Sequence, residues 1–131
     1  MATPAEHRAK ALHNEKFLND YALADGEFAG WAITVLFYCA LHWFRALAAQ
    51  EGVQIIRYEG RKDQKNTEKW ALENLSLFRD SPQPIKSYQL LKARSRDARY
   101  EMSVFTTADF NGLRKNHYEP FKSFVISHLR P

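Results

Sequence analysis

The segment FAGWAITVLFYCALHWFRALAA, residues 28–49, is the most apolar stretch of the 131-residue chain. Its only charged residue is Arg45, and Gly26 and Gly52 lie on either side of it. The length and the many alanines and leucines favour a helix over a strand, and glycines commonly mark helix ends. A helix that is apolar on nearly every side must be buried. The segment is therefore predicted to be the buried central helix of the fold.

A membrane-spanning helix is the alternative for this segment. Spanning a bilayer takes about 20 consecutive apolar residues, but Thr34 interrupts the run, and His42 and Arg45 lie in its second half. Residues 1–17 contain charges throughout, which argues against a signal peptide. Cys39 is the only cysteine and can form no internal disulfide. These features predict a soluble protein of the reducing cytoplasm without a membrane span.

A first helix is predicted before the central one. Thr3 can cap it, Pro4 suits its first position, and Glu6 completes a capping box. Apolar side chains follow at helical spacing, namely Ala9, Leu12, Phe17, Leu18 and Tyr21. This helix should extend from residue 4 to about residue 23.

The second half of the chain contains signals for three further helices. A short helix capped by Asn66 or Thr67 should run to Phe78, before the proline-containing segment 80–84 breaks the chain. A longer helix is expected over residues 85–99.

The last helix begins with a capping-box pattern at Thr106 and Asp109. Pro120 should kink or split it near His117. Because no strand-like alternation and no internal repeat occurs in the sequence, the predicted fold is an all-α bundle of four or five helices, in one domain over residues 1–131.

A homodimer is also predicted from the central helix. Its large side chains Trp31, Tyr38, Trp43 and Phe44 exceed what neighbouring helices of one chain should cover. Apolar surface left uncovered tends to become an interface between copies.

Basic residues cluster although the net charge is only +4. Five basic residues and one acid lie between Lys86 and Arg99. Within this segment Lys92, Arg96 and Arg99 recur at i, i+4 and i+7, which places three cations on one helix face. Such a face needs an anionic ligand or a nearby carboxylate, although solvated helix faces often show the same pattern. A basic loop with Arg61 precedes the short helix. The five histidines show no metal-ligand spacing, so neither a metal nor another cofactor is expected.

Two motifs resemble those of the small prokaryotic HEPN-domain proteins. The central VLFYCALHWFRALAAQEG and the later YQLLKARSRDARYE are similar to the family patterns YYAxxHxxxALxxxxG and R-x-A-x-Y. The matching residues are Phe37, Tyr38, Ala40, His42, Ala46, Leu47 and Gly52, then Arg96, Ala98 and Tyr100. The resemblance covers roughly residues 10–128 in order and spacing. It implies an antiparallel helical bundle that forms a homodimer.

The resemblance also implies a function linked to RNA. Some family members are metal-independent ribonucleases with an Arg-x(4–6)-His motif near the start of the last long helix. Others bind RNA or a partner protein, often beside a small nucleotidyltransferase in toxin–antitoxin or defence systems. Here Arg114 and His117 are the candidate catalytic pair, although only two residues separate them. The family spacing occurs instead between Arg8 and His13, on the first helix. Ribonuclease activity therefore stays open.

Binding residues are expected on the basic helix and loop and on the central helix. A guanidinium group can bind a phosphate through two hydrogen bonds, and a tyrosine can stack on an unpaired base. The ligand is predicted to be RNA or, alternatively, an acidic surface of a cognate nucleotidyltransferase or antitoxin-like protein. For His42, on the central helix, a packing role is the alternative to ligand binding, because Arg45 one turn away should disfavour the charged form of the ring. The candidate binding residues are His42, Arg61, Arg96, Arg99 and Tyr100.

Overall fold

The computed structural model describes residues 2–22, 28–55, 67–100 and 104–130. Within these ranges the chain is almost entirely helical and contains no strand, so the predicted all-α bundle is confirmed, although the described residues form seven α-helical segments instead of the predicted four or five helices. The helices are α1 (Pro4–Ala22), α2 (Ala29–Gln50), α3 (Glu68–Asn74), α4 (Ser76–Arg79), α5 (Pro82–Tyr100), α6 (Thr107–Leu113) and α7 (Glu119–His128). A π-helical turn (Arg114–Tyr118) joins α6 to α7.

Helix α2 is the centre of the bundle, as predicted. It is the one helix in the described ranges that is long and apolar enough to cross a membrane, but 67% of its most apolar stretch is buried by the other helices. The side chains of Trp43 and Phe44 are fully buried. This burial is what the core helix of a soluble bundle requires.

Helix α1 packs antiparallel against α2. Near the start of α1, His7 lies beside His42, whereas further along α1 Glu15 meets Cys39 at the hydroxyl of Tyr118. Residue numbers increase along α1 while those of the contacting residues on α2 decrease, so the two helices run antiparallel.

Helix α5 is antiparallel to α2 as well. The Phe44 ring stacks on Tyr88 at a centroid distance of 4.9 Å, and near the other end of α2 Gly30 faces Ala98. Helices α1 and α5 therefore both run antiparallel to the same central helix.

The predicted helix caps are confirmed at both α1 and α6. The Thr3 and Glu6 backbone amides each donate to the other residue's side chain at 3.1 Å. Thr106 and Asp109 form the same reciprocal pair before α6. These bonds satisfy amides that the first turn of a helix leaves without partners.

The apolar row predicted on α1 is wrong in part. Of this row Leu18 is fully buried, whereas Ala9 is exposed, and Leu12 and Phe17 are 44% and 45% exposed. Ala11, which is not in the predicted row, is also fully buried, and the side chain of Tyr21 lies outside the described part of the chain. Helix α1 therefore presents a narrower apolar stripe to the core than the sequence spacing indicated.

Two of the predicted boundaries also differ from the structure. Thr67 caps the short helix as predicted, but the extended backbone of Leu75 divides it into α3 and α4. Helix α5 starts at Pro82 rather than at residue 85. Prolines are tolerated in a first turn because the amides there have no helical partner, so this segment begins a helix instead of breaking the chain.

The π-helical turn confirms the predicted distortion near His117. The Glu119 amide donates to the carbonyl of Arg114, five residues earlier. Pro120 has no N–H, and its ring would clash with the carbonyl four residues before it in a regular helix. The wider π turn relieves that conflict.

The side chains cited for a homodimer divide into two groups. Trp43 and Phe44 are covered within the chain itself, which corrects their part in that prediction. Trp31 is 59% exposed and Tyr38 is half-buried. The homodimer stays a prediction, and its support is now limited to these outward residues.

Candidate nucleic-acid interface

The three cations predicted to share one face of α5 have different surroundings. Lys92 Nζ lies 3.1 Å from a carboxylate oxygen of Glu68, on α3. Arg96 makes no hydrogen bond or ion pair with any residue that the structure describes. Arg99 likewise has no carboxylate partner in the described ranges. Two of the three charges are therefore left without an acidic partner inside the described chain.

A groove of about 400 Å³ runs beside this face, between α3 and α5. Helix α5 contributes Lys92 and Arg96 to its wall, and α3 contributes Lys69 as a further cation. The acids in its lining are Glu68, which pairs with Lys92, and Glu73. The groove lining thus contains three cations and two carboxylates, one of which is paired with Lys92.

Arg99 lies between two tyrosine rings. Its Nη1 donates to the Tyr38 hydroxyl and its Nε to the Ser95 carbonyl, both at 3.3 Å. The guanidinium carbon lies 5.9 Å from the ring centroid of Tyr38 and 5.1 Å from that of Tyr100. Tyr100 is 70% exposed. These contacts fix the guanidinium while leaving N–H donors and one aromatic face open to a ligand. We call Arg96, Arg99 and Tyr100 the arginine face.

Helix α2 is uncovered along one stripe. Trp31, Val35, Tyr38, His42 and Arg45 follow one another at spacings of three and four residues, which places them on one side of the helix. All five are exposed or half-buried. Arg99 of α5 touches this α2 stripe at Tyr38, and His7 of α1 touches it at His42. The stripe therefore lies in the seam between α1 and α5, and spans about 21 Å at the helical rise.

A histidine pair occupies one end of the α2 stripe. The Nδ1 atoms of His7 and His42 are 3.3 Å apart, so one ring can donate a single shared proton to the other. Burial, with lesser contributions from His7 and Arg45, lowers the pKa of His42 to about 4. Burial and Arg45 also lower the pKa of His7. At neutral pH both rings are uncharged, which confirms the predicted effect of Arg45 in direction, although burial is the larger cause.

The Arg45 side chain contains a hydrogen-bond donor without an acceptor in the described chain. Its Nε is buried and has no hydrogen-bond partner among the described residues. Buried N–H groups are usually paired, because an unpaired one loses its hydration without compensation. The basic side chain of Lys10, on α1, also acts on His42. Cationic groups thus surround the histidine pair.

The proposed catalytic pair is not brought together. Arg114 Nη2 donates to Asn19 of α1 at 2.6 Å, and its Nε lies 3.5 Å from Glu119. His117 instead lies on the side of α5, with its Nδ1 3.2 Å from the Ser87 hydroxyl. A π turn advances less per residue than an α-helix, so residues three apart no longer share a face. The two side chains consequently take partners on different helices.

Three further residues named from the sequence are Arg61 in the basic loop and the Arg8 and His13 pair of the first helix. Arg61 lies outside the described residues. Arg8 and His13 are both exposed on α1, and Arg8 lines a separate groove beside Leu129. In the described ranges, no group of three or more His, Cys, Asp and Glu residues is placed to hold a metal ion.

The opposite side of α2 contains a buried polar network that the sequence analysis missed. The Tyr118 hydroxyl donates to Glu15 at 2.5 Å and accepts from the Trp43 indole at 3.0 Å. Lys122 Nζ completes the set, 2.8 Å from Glu15. Burial raises the pKa of the Tyr118 hydroxyl, so it stays a proton donor. We call these four residues the Tyr118 network.

Cys39 lies beside the Tyr118 network. It is fully buried, and burial, with the nearby Glu15 carboxylate, raises its pKa to about 12. Its thiol is therefore protonated at neutral pH and unsuited to attack as a nucleophile, which agrees with the packing role predicted for it.

Comparison with known proteins identifies no relative: no family model matches the chain, and neither a curated protein nor a solved structure matches it significantly.

Proposed function

We propose that the protein binds single-stranded RNA on the arginine face. The observation that supports this most directly is the contrast within one row of α5. Lys92 is matched by Glu68, whereas Arg96 and Arg99 have no carboxylate among the described residues. A guanidinium group held against aromatic rings offers charge to a phosphate and a stacking surface to an unpaired base. Duplex RNA keeps its bases paired and stacked, so it would offer no unpaired base to the Tyr100 ring.

The resemblance to HEPN-domain proteins supports the same conclusion independently. Under this proposal the bundle is a HEPN-like domain of a cytoplasmic toxin–antitoxin or defence system. Arg96 and Tyr100, two residues of the matching motif, both belong to the arginine face. Catalysis by Arg114 and His117 is left out of the proposal, since the two side chains are engaged on different helices.

The test measures RNA affinity against salt concentration. A fluorescein-labelled, unstructured RNA is titrated with protein from about 50 to 300 mM salt, and log affinity should fall with a slope of about −0.7 per neutralised phosphate. Arg96→Ala and Arg99→Ala should each flatten the slope by about 0.7 and weaken binding to all sequences similarly.

Arg94→Ala is the matched control for this test. Arg94 is also on α5, but it lines a different groove, beside α6, and pairs with Asp97 at 3.1 Å. Its removal should leave the salt slope unchanged. The proposal fails if no RNA binds at about 50 mM salt, or if Arg94→Ala matches Arg99→Ala.

A protein partner is the second candidate ligand. Apolar side chains stand near the arginine face, at the end of the bundle where α2 begins, and these favour a protein surface: Phe28 is 64% and Val104 92% exposed. The partner would be a nucleotidyltransferase with an acidic surface. If RNA does not bind, but a co-expressed nucleotidyltransferase from a neighbouring gene co-purifies and is lost on Arg99→Glu, this second function replaces the first.

The proposal includes a homodimer. Trp31 and Phe28 are the large apolar residues at the exposed end of α2, and such residues tend to be buried between copies. Light scattering should give twice the monomer mass of 15.3 kDa at micromolar concentration. A monomer mass there would remove the dimer from the proposal without affecting the arginine face.

A further inference from the structure

We propose that His7, Lys10, His42 and Arg45 form a phosphate-binding cluster, and that filling it makes the two imidazoles take up protons. The cluster lies at the end of the α2 stripe opposite Trp31. It deepens the proposed function, because the phosphate it takes would belong to the RNA strand held by the arginine face. The same cluster would also accept free phosphate, and the experiment below separates the two sources.

The first observation is the charge around the cluster. Helix α1 contributes His7 and Lys10, and α2 contributes His42 and Arg45. The acid that acts on it from the described chain is Glu6, whose carboxylate also accepts the Thr3 amide in the α1 cap. From the α5 side, Arg99 contacts Tyr38, which lies one turn of α2 away from His42. Cationic groups therefore outnumber anionic ones at this place.

The second observation is the unmet Arg45 donor. A buried Nε–H without an acceptor is unfavourable. Because Arg45 as a whole is only half-buried, a small movement of its side chain towards solvent would let an oxyanion supply that acceptor. Guanidinium groups bind phosphate oxygens through paired N–H donors. Arg45 is thus the residue we expect to anchor the ligand.

The third observation is the geometry of the histidine pair. With the Nδ1 atoms 3.3 Å apart, the free protein holds one proton between the rings. If both Nδ1 atoms were protonated they would repel each other, unless a negative charge lay beside them. A bound phosphate provides that charge and also accepts N–H donors from imidazolium rings. Phosphate binding and proton uptake are therefore linked.

The position suits a strand that also touches the arginine face. Tyr38, which contacts Arg99, and Arg45 are seven residues apart on α2, which is about 10 Å along the helix. A few nucleotides of an unpaired strand span that distance. One strand lying in the seam between α1 and α5 would then contact both groups.

The first arm of the experiment uses inorganic phosphate as the probe. Nitrogen-detected NMR of the histidine rings follows pH titrations from about pH 7 to about pH 4, with and without inorganic phosphate. The His7 and His42 resonances should move together, and their midpoints should rise by about one pH unit. The rings of His13 and His117 are the internal controls and should not respond to phosphate. Arg45→Gln should abolish the response, and Arg45→Lys should restore part of it.

The second arm measures RNA affinity at about pH 7 and about pH 4.5, which covers the range in which a ring with a midpoint near 4 to 5 takes up its proton. Each proton taken up strengthens binding by up to about tenfold per pH unit over the range in which it titrates. His42→Gln, which keeps a polar side chain of similar size, should remove most of this pH dependence while keeping the salt slope of the arginine face. His13→Gln is the matched control and should behave like the wild type.

Each outcome decides between the alternatives. If phosphate moves neither ring and His42→Gln leaves the pH dependence intact, the cluster proposal is wrong and the pair only packs α1 on α2. If RNA binds through the arginine face without any pH dependence, the cluster proposal alone fails. If phosphate shifts both rings while RNA fails to bind at either pH, the cluster is a site for free phosphate and the proposed RNA function falls.

Discussion

The two sides of α2 differ in whether their polar groups have hydrogen-bond or ion-pair partners within the described chain. Behind the helix, every member of the Tyr118 network has a partner at 3.0 Å or less. In front, along the α2 stripe, Arg45 Nε has no partner in the described chain and Arg99 contacts a hydroxyl but no carboxylate.

This difference separates structural residues from candidate binding residues. A buried polar group that is fully paired contributes to stability, and removing one member leaves the others unmet. A cation that the chain leaves without an acid is available to an anionic ligand. Substitutions behind α2 should therefore reduce stability, whereas those in front should reduce binding.

The largest expected effect compares two tryptophans of the same helix. Trp43→Ala removes a fully buried ring and should lower the free energy of unfolding by about 3–5 kcal/mol. Trp31→Ala removes a mostly exposed ring and should cost about 0.5 kcal/mol or less in the monomer. Urea denaturation at low protein concentration measures both. Similar losses would mean that Trp31 is covered in solution, as in a dimer.

The next comparison is between two tyrosines. Tyr118→Phe leaves the Trp43 indole and Glu15 without their shared hydroxyl, so it should cost about 2 kcal/mol. Tyr100→Phe removes an exposed hydroxyl and should change stability by less than about 0.5 kcal/mol. Both variants keep the ring, so urea unfolding isolates the hydroxyl. Equal effects would contradict a structural role for the Tyr118 network.

The sequence was sufficient for those parts of the fold that depend on local patterns. The apolar run predicted α2, because a helix without a polar side must be buried. The reciprocal caps at Thr3 and Thr106 were also predictable, since both partners lie within four residues. The prolines at 82 and 84 led to a wrong prediction of the start of α5, because proline is found both after the end of a helix and in the first turn of one.

The functional surface was only partly predictable. The row of Lys92, Arg96 and Arg99 follows from spacing within one helix, but Glu68, which neutralises only the first, lies 24 residues away in sequence. The His7–His42 contact joins residues 35 apart. Such pairings depend on how helices pack. The one local signal for the seam is the spacing of the α2 stripe. That spacing is hard to recognise in the sequence, because most of the other residues of the helix are apolar and buried.

The dependence of stability on pH tests the histidine pair in the absence of ligand. Burial lowers the pKa of His42 from 6.5 to about 4, so the unfolded chain binds a proton more readily than the folded chain. Stability should be complete above about pH 6.5 and fall as the pH drops towards 4. Because the ring is only half-buried, solvent screening limits the loss to about 1–2 kcal/mol.

Chemical denaturation at several pH values measures this loss. His42→Gln should flatten the profile over this range, and His13→Gln, an exposed histidine on α1, should not. A wild-type stability that stays constant down to pH 4.5 or so would show that the folded protein accepts the proton without cost, contrary to the lowered pKa of His42.

The smallest expected effect converts a paired cation into an unpaired one. Glu68→Gln keeps the size of the side chain but removes the charge that neutralises Lys92, 3.1 Å away. A partly exposed ion pair contributes only about 0–1 kcal/mol, so stability should change little. If unpaired cations next to the groove bind phosphate, the freed Lys92 should strengthen RNA binding about two- to threefold and steepen the salt slope by up to about 0.7.

Asp97→Asn provides the matched control for this gain. It also removes one negative charge beside α5, but it frees Arg94, away from the α3 groove. It should leave the salt slope unchanged, because Arg94 does not face the strand. An equal gain from both substitutions would mean that RNA responds only to net charge. A gain from Glu68→Gln alone would show that the bound strand also reaches the α3 groove beside Lys92, because that substitution changes the charge only there.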